Sequence, residues 1–202
     1  MLNSTKELHD ATREILDLYE KASELTIYAE TLGEKGLTAL QYQLKDSFSH
    51  FMRAYRSELE GKTEEIIFEI KSTRNHLMRV IYDAGEICAL SVLRKLEKTF
   101  NRISKNILTI SCPQYFSEIK PKIEEYKQTI VKWKTEKTAS DVKMCSNVYN
   151  TVVEIVEFNK LKVEASKYVA KDDLKAKIWN LSKWAIGIII GSGIGILISL
   201  LF

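Results

Sequence analysis

Apolar residues recur along this chain in alternating steps of three and four, the period of a helix that buries one face. The first stripe is Leu8, Ala11, Ile15, Leu18, Ala22, Leu25, Ala29 and Leu32. It follows Ser4-Thr5-Lys6-Glu7, which has the spacing of a capping box, and predicts a long first helix ending at Gly33. A second helix is expected from near Thr38 to Gly61, with Leu40, Leu44, Phe48, Phe51, Tyr55 and Leu59 on its apolar side. A third starts near Thr63, where Glu64 and Glu65 complement the positive end of the helix dipole. Its stripe of Ile66, Ile70, Leu77, Ile81, Ala84, Cys88, Leu96 and Ile103 passes Gly85, so the helix either runs on unbroken or kinks there.

Ser111-Cys112-Pro113 interrupts the pattern. A fourth helix then carries Ile119, Ile123, Tyr126, Ile130 and Trp133, with Pro121 in its first turn or at a kink. A last cytosolic helix is expected from about Ser140, its seam formed by Val142, Cys145, Tyr149, Val152, Val156, Asn159, Val163, Ser166 and Ala170. Asn159 either fixes the register of that seam as a polar layer or lies at the bundle surface where the seam rotates away. No stretch reads as a strand or a phosphate-binding glycine loop. The fold class expected is all-α: an elongated antiparallel bundle of about five helices over residues 1–177, followed by one C-terminal transmembrane helix within 178–202.

That last element has a different pattern. Trp184 to Phe202 is an uncharged run of 19 residues, about 28 Å long as a helix and matched to a bilayer core. Trp179 and Trp184 supply an interfacial aromatic belt, and Lys183 stands between them. Lys167, Lys171, Lys175, Lys177 and Lys183 against Asp172 and Asp173 concentrate the net charge of +3 next to the run, and such a bias keeps the preceding bulk on the cytoplasmic side. With Phe202 as the final residue, a tail-anchored, single-pass arrangement is expected. Gly187, Gly191, Gly195 and Ser199 recur every four residues and give the run a face of small side chains, on which membrane helices pack closely. Membrane lipid and further copies of the same chain are the expected partners.

Charge and chemistry narrow the function. A net +3 does not mark a dedicated nucleic-acid binder. Cys88, Cys112 and Cys145 lie in or beside apolar stripes without Cys-x-x-Cys spacing, so neither a disulfide framework nor a zinc site is expected. His9, His50 and His76 form no ligand-spaced motif, and no cofactor or metal is predicted. One pattern does repeat. His50-Phe51-Met52-Arg53 and His76-Leu77-Met78-Arg79 each place a histidine and an arginine on one helical face. If the two helices are antiparallel neighbours across Gly61, His50 and His76 are roughly level, and Arg53 can approach His76 while Arg79 lies further out. The faces carrying His50, Arg53, His76 and Arg79 could then converge on a phosphate or RNA backbone. The alternative is that these side chains pair with Asp46, Glu69 or Asp83.

The His-and-Arg helix pair, with Arg74-Asn75-His76, resembles the HEPN superfamily of bacterial helical domains found in CRISPR and phage-defence systems. Its ribonucleases separate arginine and histidine by several residues, whereas Arg74 and His76 flank a single Asn75. Joined to a membrane helix, the arrangement looks most like the membrane-bound accessory proteins of type VI CRISPR systems. The resemblance implies a non-enzymatic effector of a bacterial inner membrane that oligomerises into a pore, with an RNA-guided or other cytosolic protein as possible partner. A HEPN-like RNA-binding or RNA-cleaving domain is one alternative. Another is a tail-anchored tethering, fusion or scaffold protein with a syntaxin-like layout, an amino-terminal bundle leading through a heptad helix into the membrane.

Overall fold

The computed structural model describes residues 2–32, 37–136, 142–162, 171, 174–175 and 177–179. The described α-helices include α1 (Leu2–Thr31), α2 (Leu37–Leu59), α3 (Thr63–Asn101), α4 (Lys105–Ser111), α5 (Lys120–Glu136) and α6 (residues 142–162). No strand occurs among the described residues. The chain forms two compact units, one from residues 1–95 and 123–159, the other from 96–122 and 160–202.

In the first unit α3 is the central helix. Between His76 and Leu93 only Arg79 is exposed, so this stretch is surrounded rather than amphipathic. The α1 stripe lies against it with Ile15, Leu18, Ala22, Leu25 and Ala29 all buried. Contacts from Glu14 to Arg74, Leu25 to Cys88 and Leu32 to Lys95 keep a nearly constant offset, so α1 and α3 run parallel. The Cys88 thiol donates to the Leu25 carbonyl at 3.3 Å.

α2 returns antiparallel to α3 through a tight turn. Lys62 N–H donates to Ser57 O at 2.9 Å and Gly61 N–H to Glu58 O at 3.0 Å, while Gly61 adopts φ +71°. This is a Schellman closure, and its left-handed position suits glycine because it has no Cβ. α2 corrects the expectation for its apolar face. Leu40 is buried and Leu44 and Phe51 are half-buried, but Phe48, Tyr55 and Leu59 are exposed. The side turned toward α3 instead carries Leu40, Gln43, Ser47, His50, Ala54 and Ser57, which share the three-four spacing.

α3 runs for 39 residues and continues through Gly85. A Cβ at Gly85 would lie 2.5 Å from Val148 Cγ1 and 3.7 Å from Val152 Cγ2, so this glycine lets α6 approach the α3 backbone. The buried seam of α6 is Cys145, Val148, Val152 and Ile155. It shares Cys145 and Val152 with the expected seam, but Val148 and Ile155 replace Tyr149 and Val156, which are half-buried. Tyr149 donates its hydroxyl to Glu24 of α1. α5 contributes Ile123, Tyr126, Ile130 and Trp133 to the core. Tyr126 donates to Glu154 of α6 at 2.7 Å, and its hydroxyl pKa is raised by burial and by that carboxylate.

The second unit contains an element the periodicity did not predict. α3 stops at Asn101, and Ser104 caps the short α4, accepting from Ile107 N–H at 3.5 Å. Leu96, Phe100, Ile103, Leu108, Cys112, Tyr115 and Ile119 form its core, with the Phe100 and Tyr115 rings stacked at 4.7 Å. A π-helical turn at Tyr115–Ile119 leads into α5. Pro121 sits in the first turn of α5. It has no N–H, and its ring crowds the carbonyl four residues back, which accounts for the widened turn before it.

Among the described residues no helix is long and apolar enough to cross a membrane. The run Trp184 to Phe202, including Gly187, Gly191, Gly195 and Ser199, lies outside the described residues, as does Lys183.

Candidate functional site

The antiparallel pairing of α2 and α3 brings three of the four expected His and Arg side chains together. The His50 and His76 rings stack with centroids 5.1 Å apart and planes inclined by 23°. His50 Nδ1 lies 2.5 Å from Glu69 Oε2, and Arg53 Nε donates to Glu69 Oε1 at 3.1 Å. Arg53 Nη2 also lies 2.7 Å from His50 Nδ1. One ring nitrogen cannot donate to the carboxylate and accept from the guanidinium at once. The carboxylate is the stronger acceptor, so Nδ1–H is assigned to Glu69, and Arg53 holds the other carboxylate oxygen. On the far side of the stack, His76 Nδ1 meets Gln43 Oε1 at 2.6 Å.

Ser57 Oγ donates to Glu65 at 3.0 Å near the turn and extends this cluster into a polar strip along the α2–α3 interface. Between α1 and α3, Arg74 meets Glu14. In that last pair Nη2 donates to Oε2 at 3.2 Å, while Nε and Oε1 approach to 2.5 Å without hydrogen-bond alignment. Burial works to raise the Glu69 carboxyl pKa, but the hydrogen bonds from His50 and Arg53, with the charge of Arg53, outweigh it and hold it below the usual range. Burial pushes His76 below its ordinary value. His50 and Arg79 add to the effect, and Asp46 opposes it.

Arg79 does not join the cluster: it is exposed and pairs with Asp83 at 3.7 Å. Glu69 is thus the partner of His50 and Arg53, and Asp83 that of Arg79. Gln43 was not anticipated. Its signal was positional, since it lies as far before the Gly61 turn as His76 lies beyond it, within a few residues. A carboxylate that orients an imidazole is a familiar acid–base arrangement. Here the same carboxylate also pairs with the arginine, so the charge of Arg53 is balanced within the protein.

Of the remaining expected residues, Trp179 and Asn159 are described. Trp179 is exposed. Asn159 is half-buried, and its Oδ1 is buried with no hydrogen-bond partner among the described residues, one heptad beyond Val152 on the α6 seam. A cleft of about 220 Å³ lies beside Tyr82, Glu86, Trp133 and Lys134, where Lys134 Nζ pairs with Glu86 at 2.6 Å. Among the described residues, no three histidine, cysteine or carboxylate side chains gather to hold a metal ion. No family model, no curated protein and no solved structure matches this chain.

Proposed function

We propose that this chain is a non-enzymatic membrane effector: a helical bundle on a single C-terminal membrane helix, whose packed anchors form or gate a narrow opening. The observation that carries this reading is the uncharged 19-residue run with small residues at 187, 191, 195 and 199, behind Trp179, Lys183 and Trp184. Lipid offers no hydrophobic drive for helices to associate, so a continuous small-residue face is the feature that favours close, symmetric packing of several copies. The weak likeness to the membrane-bound accessory proteins of type VI CRISPR systems suggests anti-phage defence as the setting.

The polar strip supports the non-enzymatic side of this reading. Glu69 occupies both His50 and Arg53, and Asp83 occupies Arg79, so the only repeated His-and-Arg pattern is engaged within the protein. The syntaxin-like alternative needs a heptad seam open to partners. The α6 seam at Cys145, Val148, Val152 and Ile155 is already buried within this chain.

Gly191→Leu and Gly195→Leu test the proposal directly. Both should reduce the oligomer in detergent to monomer and remove toxicity on expression, with helicity unchanged. Unchanged oligomer size in both variants would sink it. The stacked histidines favour a second reading, RNA contact at His50, Arg53 and His76. Its test is whether Arg53→Ala abolishes cellular function and RNA retention with melting unchanged.

A further inference from the structure

The outer face of α2 poses a physical problem that the anchor does not solve. Phe48, Met52, Tyr55 and Leu59 are spaced four, three and four residues apart, so they form one stripe. Their exposures are 59%, 47%, 54% and 74%. Helical geometry puts this stripe nearly opposite the Gln43, Ser47, His50, Ala54 and Ser57 side that faces α3. Over this stretch the helix therefore turns polar and small residues inward and leaves these four large apolar ones outside. Together the four side chains present roughly 450 Å² of mostly apolar surface, within the range of patches on monomers that are often functional.

We propose that this stripe is a docking surface for the same stripe of a second copy of this chain. The inference rests on the anchored, self-associating reading above. Area is the first argument. A stable complex formed from free solution needs about 800 Å² on each partner. A stripe of roughly half that area holds only a partner already brought near, and chains concentrated by associating membrane helices meet each other at high effective concentration.

Symmetry is the second argument. The four-three-four spacing gives alternating seam positions, the pattern with which two like helices interdigitate across an isologous contact. Charge is the third. Arg56 borders one edge of the stripe and Glu58 the other. In a parallel pair, opposite edges meet, and each Arg56 stands beside Glu58 of the second copy. The contact is therefore parallel.

Single cysteines in the full-length protein, reconstituted in vesicles, test this. Cys88, Cys112 and Cys145 are buried and give a low background. Met52→Cys should form cross-linked dimer about tenfold more readily than Lys71→Cys, an exposed position on α3, as expected for a local effective concentration raised by docking. Arg56→Glu should reduce that cross-linking, and adding Glu58→Arg should restore it. Absence of Met52→Cys dimer, while wild-type oligomers form and Gly191→Leu dissolves them, overturns the docking surface and leaves the anchor reading intact. Oligomers indifferent to Gly191→Leu would instead remove the anchor reading. A Met52→Cys thiol shielded by vesicles without dimer formation means that the stripe lies on lipid, which also overturns the proposal.

Discussion

The two sides of α3 are built from opposite chemistry. Toward α6 the contact is dry and close, with Gly85 against Val148 and Val152, and Cys145 and Ile155 fully buried. Toward α2 it is polar, a strip running from Ser57–Glu65 through His50–Glu69 to Gln43–His76. The first side is held by shape and should respond to volume. The second is held by hydrogen bonds and charge, and should respond to pH.

The largest effect is expected on the dry side. Ile155→Ala should cost about 2–5 kcal/mol in chemical denaturation, because the removed methyl groups leave a cavity that fixed neighbours cannot fill. Gly85→Ala should cost about 1–3 kcal/mol, since the new methyl must displace the stiff Val148 side chain, and Val148→Ala in the same chain should recover part of the loss. If Gly85→Ala proves neutral, α6 is not held as closely as described.

On the polar side, Glu69→Ala should destabilise by about 1–2 kcal/mol by leaving His50 and Arg53 without their acceptor. The pH dependence has a definite sign. The His76 pKa is lowered in the folded state, so the unfolded chain takes up that proton first and stability falls as pH drops below about 6.5. The Glu69 pKa is also lowered, so its contribution is present above its unfolded value and is lost as pH falls through the folded one. Both groups weaken the fold in acid. Melting from pH 7.5 to 5.5 should show a decline that His76→Gln flattens, whereas a decline unchanged by that substitution would place the sensitivity elsewhere.

The smallest effect is expected at the outer face of α2. Phe48→Ser and Leu59→Ser should each change monomer stability by less than about 0.5 kcal/mol, because both side chains are exposed. A clear loss would mean that these residues pack within the protein.

These contrasts also explain what the sequence made legible. The α1 stripe was readable because one apolar face met one central helix, and Ile15, Leu18, Ala22, Leu25 and Ala29 are buried as the spacing implied. α2 was misleading because amphipathicity reveals two faces but not which one turns inward. Its polar seam from Gln43 to Ser57 has the same period as its apolar stripe. In α6 the error was smaller, with Val148 and Ile155 one residue from the expected Tyr149 and Val156, a rotation small enough that both patterns share Cys145 and Val152. α4 escaped notice because a helix of 7 residues has too few turns to establish a period, leaving Ser104 as its main signal. The level placement of His50 and His76 followed from counting residues on each side of Gly61. Their partner Gln43 did not, because a single amide stands out from neither composition nor spacing.

The claim that joins these parts is that the anchors of several copies pack together and open a narrow path through the membrane. Ion conductance across a planar bilayer containing the purified full-length protein tests it most directly. The account predicts discrete current steps from the wild type and none from Gly191→Leu inserted in equal amount, and a wild type that inserts and stays electrically silent at every concentration would contradict it.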